Sequence, residues 1–249
     1  NGVKARLPRL LEWLDETKPD IACLQEVKSQ DDGFPVAEFE RAGYGAIWHG
    51  QKSFNCVAIL ARDAQPVEAQ RTLPGDPEDE HARYLEADVF GIRVATIYLP
   101  NGNPQPGPKF DYKLKWMQRL RARAAELMAS EIPAVLAGDY NVIPTPKDIW
   151  SASAMLDDAL RQPESIAAYR TLLAEGWTDA LATHYPQGGV WTYWDFQAGA
   201  WQRDHGFRID HLLLSPLVAD RLVACGVDKD HRGREKASDH APTWIELAS

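Results

Sequence analysis

Apolar residues at Val3, Leu7, Leu10, Leu11 and Leu14 recur at helical spacing and predict an amphipathic helix over residues 3–17. Pro8 is a blemish on this pattern, since it falls within the early helix past the position where a missing N–H is free. Lys18-Pro19-Asp20 stops this helix ahead of an apolar strand at 20–24. Short strands are predicted at 45–49, 56–61, 84–89 and 92–98, separated by turns rich in Gly, Pro and Asp. A long helical pattern runs from Lys109 to Ser130, followed by a strand at 133–138. Beyond it come a connecting region at 144–163, a helix near 164–175, and strands near 190–196, 207–214, 223–228 and 241–247. Helices and strands are mixed, with no repeat and no Gly/Ser linker, so one α/β domain over 1–249 is the simplest organisation.

Several of these apolar runs end in side chains suited to metal or phosphate. Residues 133–141 pass from an apolar run through Gly138 to Asp139 and Asn141. In an extended backbone positions i and i+2 point the same way, so this acid and amide reach one point. Such a pair suits gripping and activating a water beside a phosphate. Residues 21–26 end a second run in Gln25 and Glu26, Asp210 interrupts the apolar pattern of 208–214, and Ser238-Asp239-His240 precedes the last strand. A charge inside a strand pattern is costly unless it is paired or binds a metal. Any one of these is readily a surface accident; four together are not.

In order and spacing, these blocks resemble the signature of the exonuclease-endonuclease-phosphatase superfamily. Tyr98-Leu-Pro-Asn101-Gly102, Gly50-Gln-Lys52, Gly206-Phe-Arg-Ile-Asp210 and Trp191-Thr-Tyr-Trp194-Asp narrow the resemblance to its abasic-site endonucleases of the exodeoxyribonuclease III type. The resemblance covers essentially the whole chain. It implies a four-layer α/β sandwich, two packed and mainly antiparallel β-sheets flanked by helices, with the active site at one end of the sheets.

The resemblance implies an Mg²⁺-dependent DNA repair nuclease, with Mn²⁺ as the alternative ion. Its expected activities are 3′→5′ exonuclease on duplex DNA, cleavage 5′ to an abasic site to leave a 3′-hydroxyl, and 3′-phosphatase. Glu26 is the implied principal metal ligand, with Asp239 and then Gln25 or Asn141 contributing directly or through water. Asp139 is the candidate for orienting and deprotonating the attacking water, and Asn141 for holding its geometry. Asp210 and His240 read as a coupled pair, with the carboxylate fixing the tautomer and favouring imidazolium. The sequence leaves open whether Asp139 or His240 is the base. Tyr98 is placed by its motif to donate to phosphate. His211 should face the opposite side of the strand from Asp210 and serve structure.

Tyr193, Trp194, Phe207 and Ile209 form an aromatic and apolar group that, by the resemblance, walls a pocket for a flipped, base-free deoxyribose. Core packing is the alternative for Trp194. Asn101, Lys109 and Lys113, in or near the Tyr98–Asn101 loop, are candidate DNA contacts. Arg119, Arg121 and Arg123 read either as a basic face near DNA or as helix charge offset by nearby acids. The acidic stretch 73–80 reads as a solvated loop.

Composition changes this picture little. Hydrophobic and charged contents of 45% and 25% are ordinary for a soluble globular protein, and no apolar run approaches a membrane span. A net charge of −9 argues against a sequence-blind polyanion binder, yet a carboxylate-rich metal site adds negative charge of its own. Three widely spaced cysteines, Cys23, Cys56 and Cys225, read as reduced buried thiols. A cytoplasmic monomer acting on double-stranded DNA, with no membrane partner, is expected.

Two departures from the family pattern stand out. The family opens with a short strand ending Asn-x-Asn-Gly; Asn1 matches the second Asn, and the first has no counterpart in the sequence. Cys56 stands where the family usually has Gly. Without the first strand a sheet edge would be exposed. Two competing readings remain: another phosphoesterase of the superfamily, of the inositol phosphate phosphatase or sphingomyelinase type, or a catalytically silent DNA-end binding module.

Overall fold

The structure, a computed structural model, describes residues 2–248. Asn1, which matches the second Asn of the family's opening, lies outside them. The chain runs through α1 (Val3–Thr17), β1 (Ile21–Leu24), α2 (Val36–Arg41), β2 (Tyr44–His49), β3 (Val57–Arg62), β4 (Val67–Gln70), β5 (Tyr84–Val89) and β6 (Ile92–Tyr98). It continues with α3 (Pro108–Ala129), β7 (Ala134–Asp139), α4 (Pro163–Ala174), β8 (Thr178–Asp179), α5 (Ala180–His184) and β9 (Asp210–Leu214). The last elements are α6 (Pro216–Ala219), β10 (Leu222–Val227), α7 (Lys229–Arg232) and β11 (Thr243–Leu247).

Six strands form the main sheet in the order β4-β5-β6-β7-β9-β8. Only the β6–β7 pair is parallel, joined through the long crossover helix α3 as parallel neighbours require. One face of this sheet packs against α3 and α4 through Ile97, Leu136, Trp116, Leu120 and Tyr169. The other face meets β3 through Leu85, Ala87, Val57 and Ile59, and meets β10 and β11 through Val94, Val135, Leu214, Cys225 and Ile245. Helix α1 covers the outer side of β1, β2 and β3 through Val3, Leu14, Ala22, Ala46 and Leu60. The result is the expected order of helix, sheet, sheet, helix.

The second sheet layer differs from that expectation. It consists of two separate pieces, β1-β3-β2 and β10-β11. Among the described residues β1 pairs only with β3, and β11 only with β10. Both line a groove of about 840 Å³ that also reaches Glu26, Asp139, Asp210 and His240.

Most predicted elements form within a residue or two of their expected ends. Residues 190–196 do not form a strand; Tyr193 makes only isolated bridges to Phe207 and His240. The strand predicted at 207–214 begins at Asp210. Strands β4 and β8 and helices α2, α5, α6 and α7, all short, have no counterpart in the sequence reading. Strand β4 is exposed and only four residues long, and α2, at six residues, is under two turns.

The three cysteines are free thiols. Cys56 is fully buried with φ 74°, a left-handed conformation that favours glycine. That explains why a glycine suits the position. Helix charges at Arg119, Arg121 and Arg123 are ion-paired to Asp79, Glu175 and Glu86, so these residues do not form a free basic face. Asp79, in the acidic loop expected to be solvated, is itself nearly buried against Arg119. No helix among the described residues is long and apolar enough to cross a membrane.

Candidate active site

Three adjacent strands bring three candidate residues side by side. Tyr98 ends β6, Asp139 ends β7, and Asp210 starts β9. Tyr98 is the parallel partner of Asp139, and Asp139 is the antiparallel partner of Asp210. Gly138 is required just before Asp139, because a Cβ there would collide with the Ile97 carbonyl oxygen of β6. The Gly-Asp-x-Asn motif is therefore a product of strand packing as well as chemistry.

Beyond Asp139 the chain turns left-handed at Asn141, φ 47°. This turn brings the Asn141 backbone N–H to Asp139 Oδ1 at 2.8 Å and its side-chain Nδ2 to Oδ2 at 3.3 Å. Asn141 Nδ2 also donates to the Leu99 carbonyl, and Asn101 Nδ2 donates to Asn141 Oδ1 at 3.1 Å. Thr192 fixes the backbone at Asp210: the N–H groups of Ile209 and Asp210 both donate to Thr192 Oγ1.

His240 completes the cluster. Its Nδ1 lies 2.9 Å from Asp210 Oδ2, and its Nε2 lies 4.0 Å from Asp139 Oδ2. Burial opposes charge on this imidazole, but Asp210, Asp139 and Asp239 together push its pKa up to about 10. Burial, with Asp210 and Glu26 nearby, pushes the Asp139 carboxyl up to about 7 despite the opposing His240. His240 is thus a cation at neutral pH, and Asp139 is the group poised to exchange a proton there.

Glu26 sits opposite. Tyr98 Oη donates to Glu26 Oε1 at 2.5 Å, and Lys28 Nζ lies 2.8 Å from Oε2. Burial raises the Glu26 carboxyl, but the bonds from Lys28 and Tyr98 outweigh it and hold the group below its usual range. Burial, Glu26 and Asp139 keep the Tyr98 phenol protonated far above neutral pH. Gln25 sends its Nε2 to Thr96 Oγ1 at 2.9 Å, which anchors the Glu26 segment to the main sheet. Asp239 holds its place through its backbone carbonyl, which accepts from Trp194 N, and its Oδ1 accepts from Ser238 Oγ.

These donors suit one kind of ion. Among the described residues no trio of His, Cys, Asp or Glu is spaced as ligands of one metal. Mg²⁺ needs only one or two protein carboxylates and keeps most of its waters. Glu26 alone meets that minimum, and the Lys28 ammonium already occupies a cation position at Glu26.

Two predicted substrate contacts are corrected. Lys113 is fully buried, with Nζ donating to the carbonyls of Asn101 at 3.0 Å and Asn141 at 2.5 Å. Burial drives its pKa down to about 7 against the pull of Asp139 and Asp158. It braces the two asparagine loops from beneath and does not face DNA. Trp194 is also fully buried, stacking edge-on against Trp201 and donating from Nε1 to Asp204. It belongs to the core and not to a pocket wall.

Tyr193, Phe207 and Ile209 do come together, with Ile143, Ile149 and Leu160. The Tyr193 ring lies 4.8 Å from Phe207 and 4.9 Å from His240, so this apolar group adjoins the Asp139–Asp210–His240 cluster. Lys109 is exposed at the start of α3. His211 is buried on the far side of β9 from Asp210. Arg208 donates to its Nδ1, so its Nε2–H donates to the Val142 carbonyl at 2.9 Å. Burial and Arg208 lower its pKa to about 4.

Three site residues escaped the sequence reading. Lys28 follows Glu26 at the same i, i+2 spacing that singled out Asp139 and Asn141. Thr192 lies within the Trp191–Trp194 block. Arg83, stacked over the Tyr98 ring at 4.9 Å and donating to the Tyr98 carbonyl, carries no sequence signal.

The Endonuclease/Exonuclease/phosphatase family model matches residues 1–240. The chain belongs to this family. It is 33% identical over 259 aligned residues to exodeoxyribonuclease III of Haemophilus influenzae, covering 99% of this chain and 97% of that relative. Its fold matches an AP endonuclease from Archaeoglobus fulgidus with a TM-score of 0.95 at 34% identity, covering 100% of this chain and 96% of that one. It also matches the 3′ phosphatase NExo from Neisseria, bound to a product DNA hairpin, with a TM-score of 0.97 at 34% identity and the same coverage.

Proposed function

We propose that this protein is a divalent-metal-dependent DNA repair nuclease. It acts as a 3′→5′ exonuclease on duplex DNA and as an abasic-site endonuclease that cuts 5′ to the lesion, with 3′-phosphatase activity. The named relatives, which include an exodeoxyribonuclease III, an AP endonuclease and a 3′ phosphatase, support this reading. The observation that carries it is the registered row Tyr98–Asp139–Asp210 with His240 set between the two carboxylates.

In this scheme Asp139 takes a proton from a water held by Asn141, and the resulting hydroxide attacks phosphorus. The P–O3′ bond breaks, leaving a 5′-phosphate on one side and, once protonated, a 3′-hydroxyl on the other. His240, charged by Asp210, donates a hydrogen bond to a non-bridging oxygen. Because Asp210 favours the charged imidazole, this reading gives the role of base to Asp139. Tyr98, kept neutral and donating to Glu26 here, would be free to donate to the same phosphate if Glu26 held a metal ion. Mg²⁺ held by Glu26 and Asp239 would neutralise phosphate charge and the developing charge on the leaving oxygen. Asn101 and Lys109 contact the DNA backbone, and Tyr193, Phe207 and Ile209 receive the base-free sugar. We place the protein in the cytoplasm as a single-domain monomer.

End-labelled duplex DNA carrying one abasic analogue tests this directly. Cleavage immediately 5′ to the lesion in Mg²⁺, absent in EDTA and in Glu26→Ala and Asp139→Ala, is the expected result. Intact strands in Mg²⁺ with a shifted complex on a native gel would instead identify a silent DNA-end binder.

A further inference from the structure

Trp150 is the exposed aromatic residue beside the Phe207 pocket. Its predecessor Ile149 is extended, bridges Phe207, and is buried in the apolar cluster with Phe207 and Ile209. Side chains alternate along an extended segment, so Trp150 turns away from that cluster. Its backbone N–H donates to the Gly206 carbonyl at 3.0 Å, which fixes it next to Phe207. The indole lies flat on the His205 ring, with centroids 3.9 Å apart and planes 5° from parallel. One indole face is thereby covered, yet Trp150 remains 42% exposed.

This is a side chain held in place with a broad apolar face left open. Phe207 and Ile209 are 8% and 3% exposed, so of the rings lining the pocket only the half-buried Tyr193 offers a nucleobase any aromatic area. A base-free sugar needs none, but a nucleotide that keeps its base does. Every base has a π-face, so one aromatic platform serves all four. An indole already fixed by stacking also loses little freedom on binding.

We propose that the open face of Trp150 is a stacking platform for the nucleobase of an unpaired 3′-terminal nucleotide. Its ligand is a displaced base of any sequence, and its substrate class is duplex DNA with a frayed or mismatched 3′ end. The inference rests on the nuclease reading and adds a base subsite to it.

The test is binding in EDTA to two duplexes that differ at one position. One carries a single unpaired 3′-terminal nucleotide with its base, and the other carries a base-free analogue there. Trp150→Ala should weaken binding of the first roughly tenfold and leave the second unchanged, and Trp150→Phe should restore most of the loss. Equal affinities of wild type and Trp150→Ala for the base-bearing end, or equal losses on both ends, overturn the platform. If wild type still cuts the abasic duplex in Mg²⁺, the nuclease reading survives that result. If wild type neither binds nor cuts either duplex, both readings fall.

Discussion

The Nε2 of His240 faces the Oδ2 of Asp139 across 4.0 Å, while Asp210 holds the other ring nitrogen at 2.9 Å. A cation and a carboxyl with a raised pKa thus share one small site, and the charge on His240 depends on Asp210. Asp210→Asn removes the main group raising the His240 pKa, which then falls from about 10 toward the ordinary imidazole range. The imidazolium would exist only below about pH 6.5. Activity of the variant should therefore approach wild type in acid and fall steeply as pH rises through neutrality, where wild type still works. The pH profile of kcat/KM for the abasic duplex reads this out; a uniform loss at all pH values would contradict it.

Asp139 should cost the fold stability above neutral pH. Its carboxyl is raised to about 7 when folded, against about 3.9 when unfolded. Proton binding by the folded state therefore contributes stability that is fully present below about pH 4. This contribution is lost as pH rises and is gone above the folded pKa. Asp139→Asn, which never ionises, should be at least as stable as wild type, with an advantage that grows from pH 4 to pH 8 to more than about 1 kcal/mol. Urea unfolding in EDTA across that range checks it. Loss of catalysis in the same variant would mark a site where function and stability conflict.

Lys113 explains how two asparagine loops stay in register. Lys113→Met leaves the buried carbonyls of Asn101 and Asn141 without their donor, at roughly 1–3 kcal/mol each, offset by removal of a buried ammonium. A net loss of about 1 kcal/mol is expected, with kcat lowered about tenfold and KM nearly unchanged. Urea midpoints and steady-state kinetics separate the two effects. A rise in KM with unchanged kcat would instead place Lys113 among the DNA contacts.

The sequence did carry the signal for that buried lysine. Phe110, Lys113, Met117, Leu120, Ala124 and Leu127 lie on one helical stripe of α3, and the stripe faces the core. Reading Lys113 by its charge obscured its position. Strands with dense apolar runs, such as β3, β6 and β7, were legible because both of their faces are covered. The Tyr193 segment was not, because it is extended and aromatic yet joined to its neighbours by single bridges. The site itself was legible at Asp139 and Asn141, although the left-handed turn at Asn141, and not strand alternation, brings that pair together. It was illegible where distant segments meet, as where Arg83 stacks on Tyr98.

Glu26 offers the cleanest test of metal binding. Its two oxygens are occupied by the Tyr98 hydroxyl and the Lys28 ammonium, so a metal ion must displace at least one of them. Glu26→Gln keeps the shape but removes the charge that holds both the lysine and a cation. The Mg²⁺ concentration giving half-maximal cleavage should rise at least tenfold, about 1.4 kcal/mol in apparent affinity. Lys28→Ala should move it the other way, because the ion no longer competes with an ammonium at Oε2. DNA binding in EDTA should respond in the opposite sense for Glu26→Gln, tightening slightly as a negative charge leaves the phosphate path. Mg²⁺ titrations of cleavage by the three proteins, paired with binding in EDTA, separate these effects. Identical Mg²⁺ requirements in all three would remove Glu26 from the metal site.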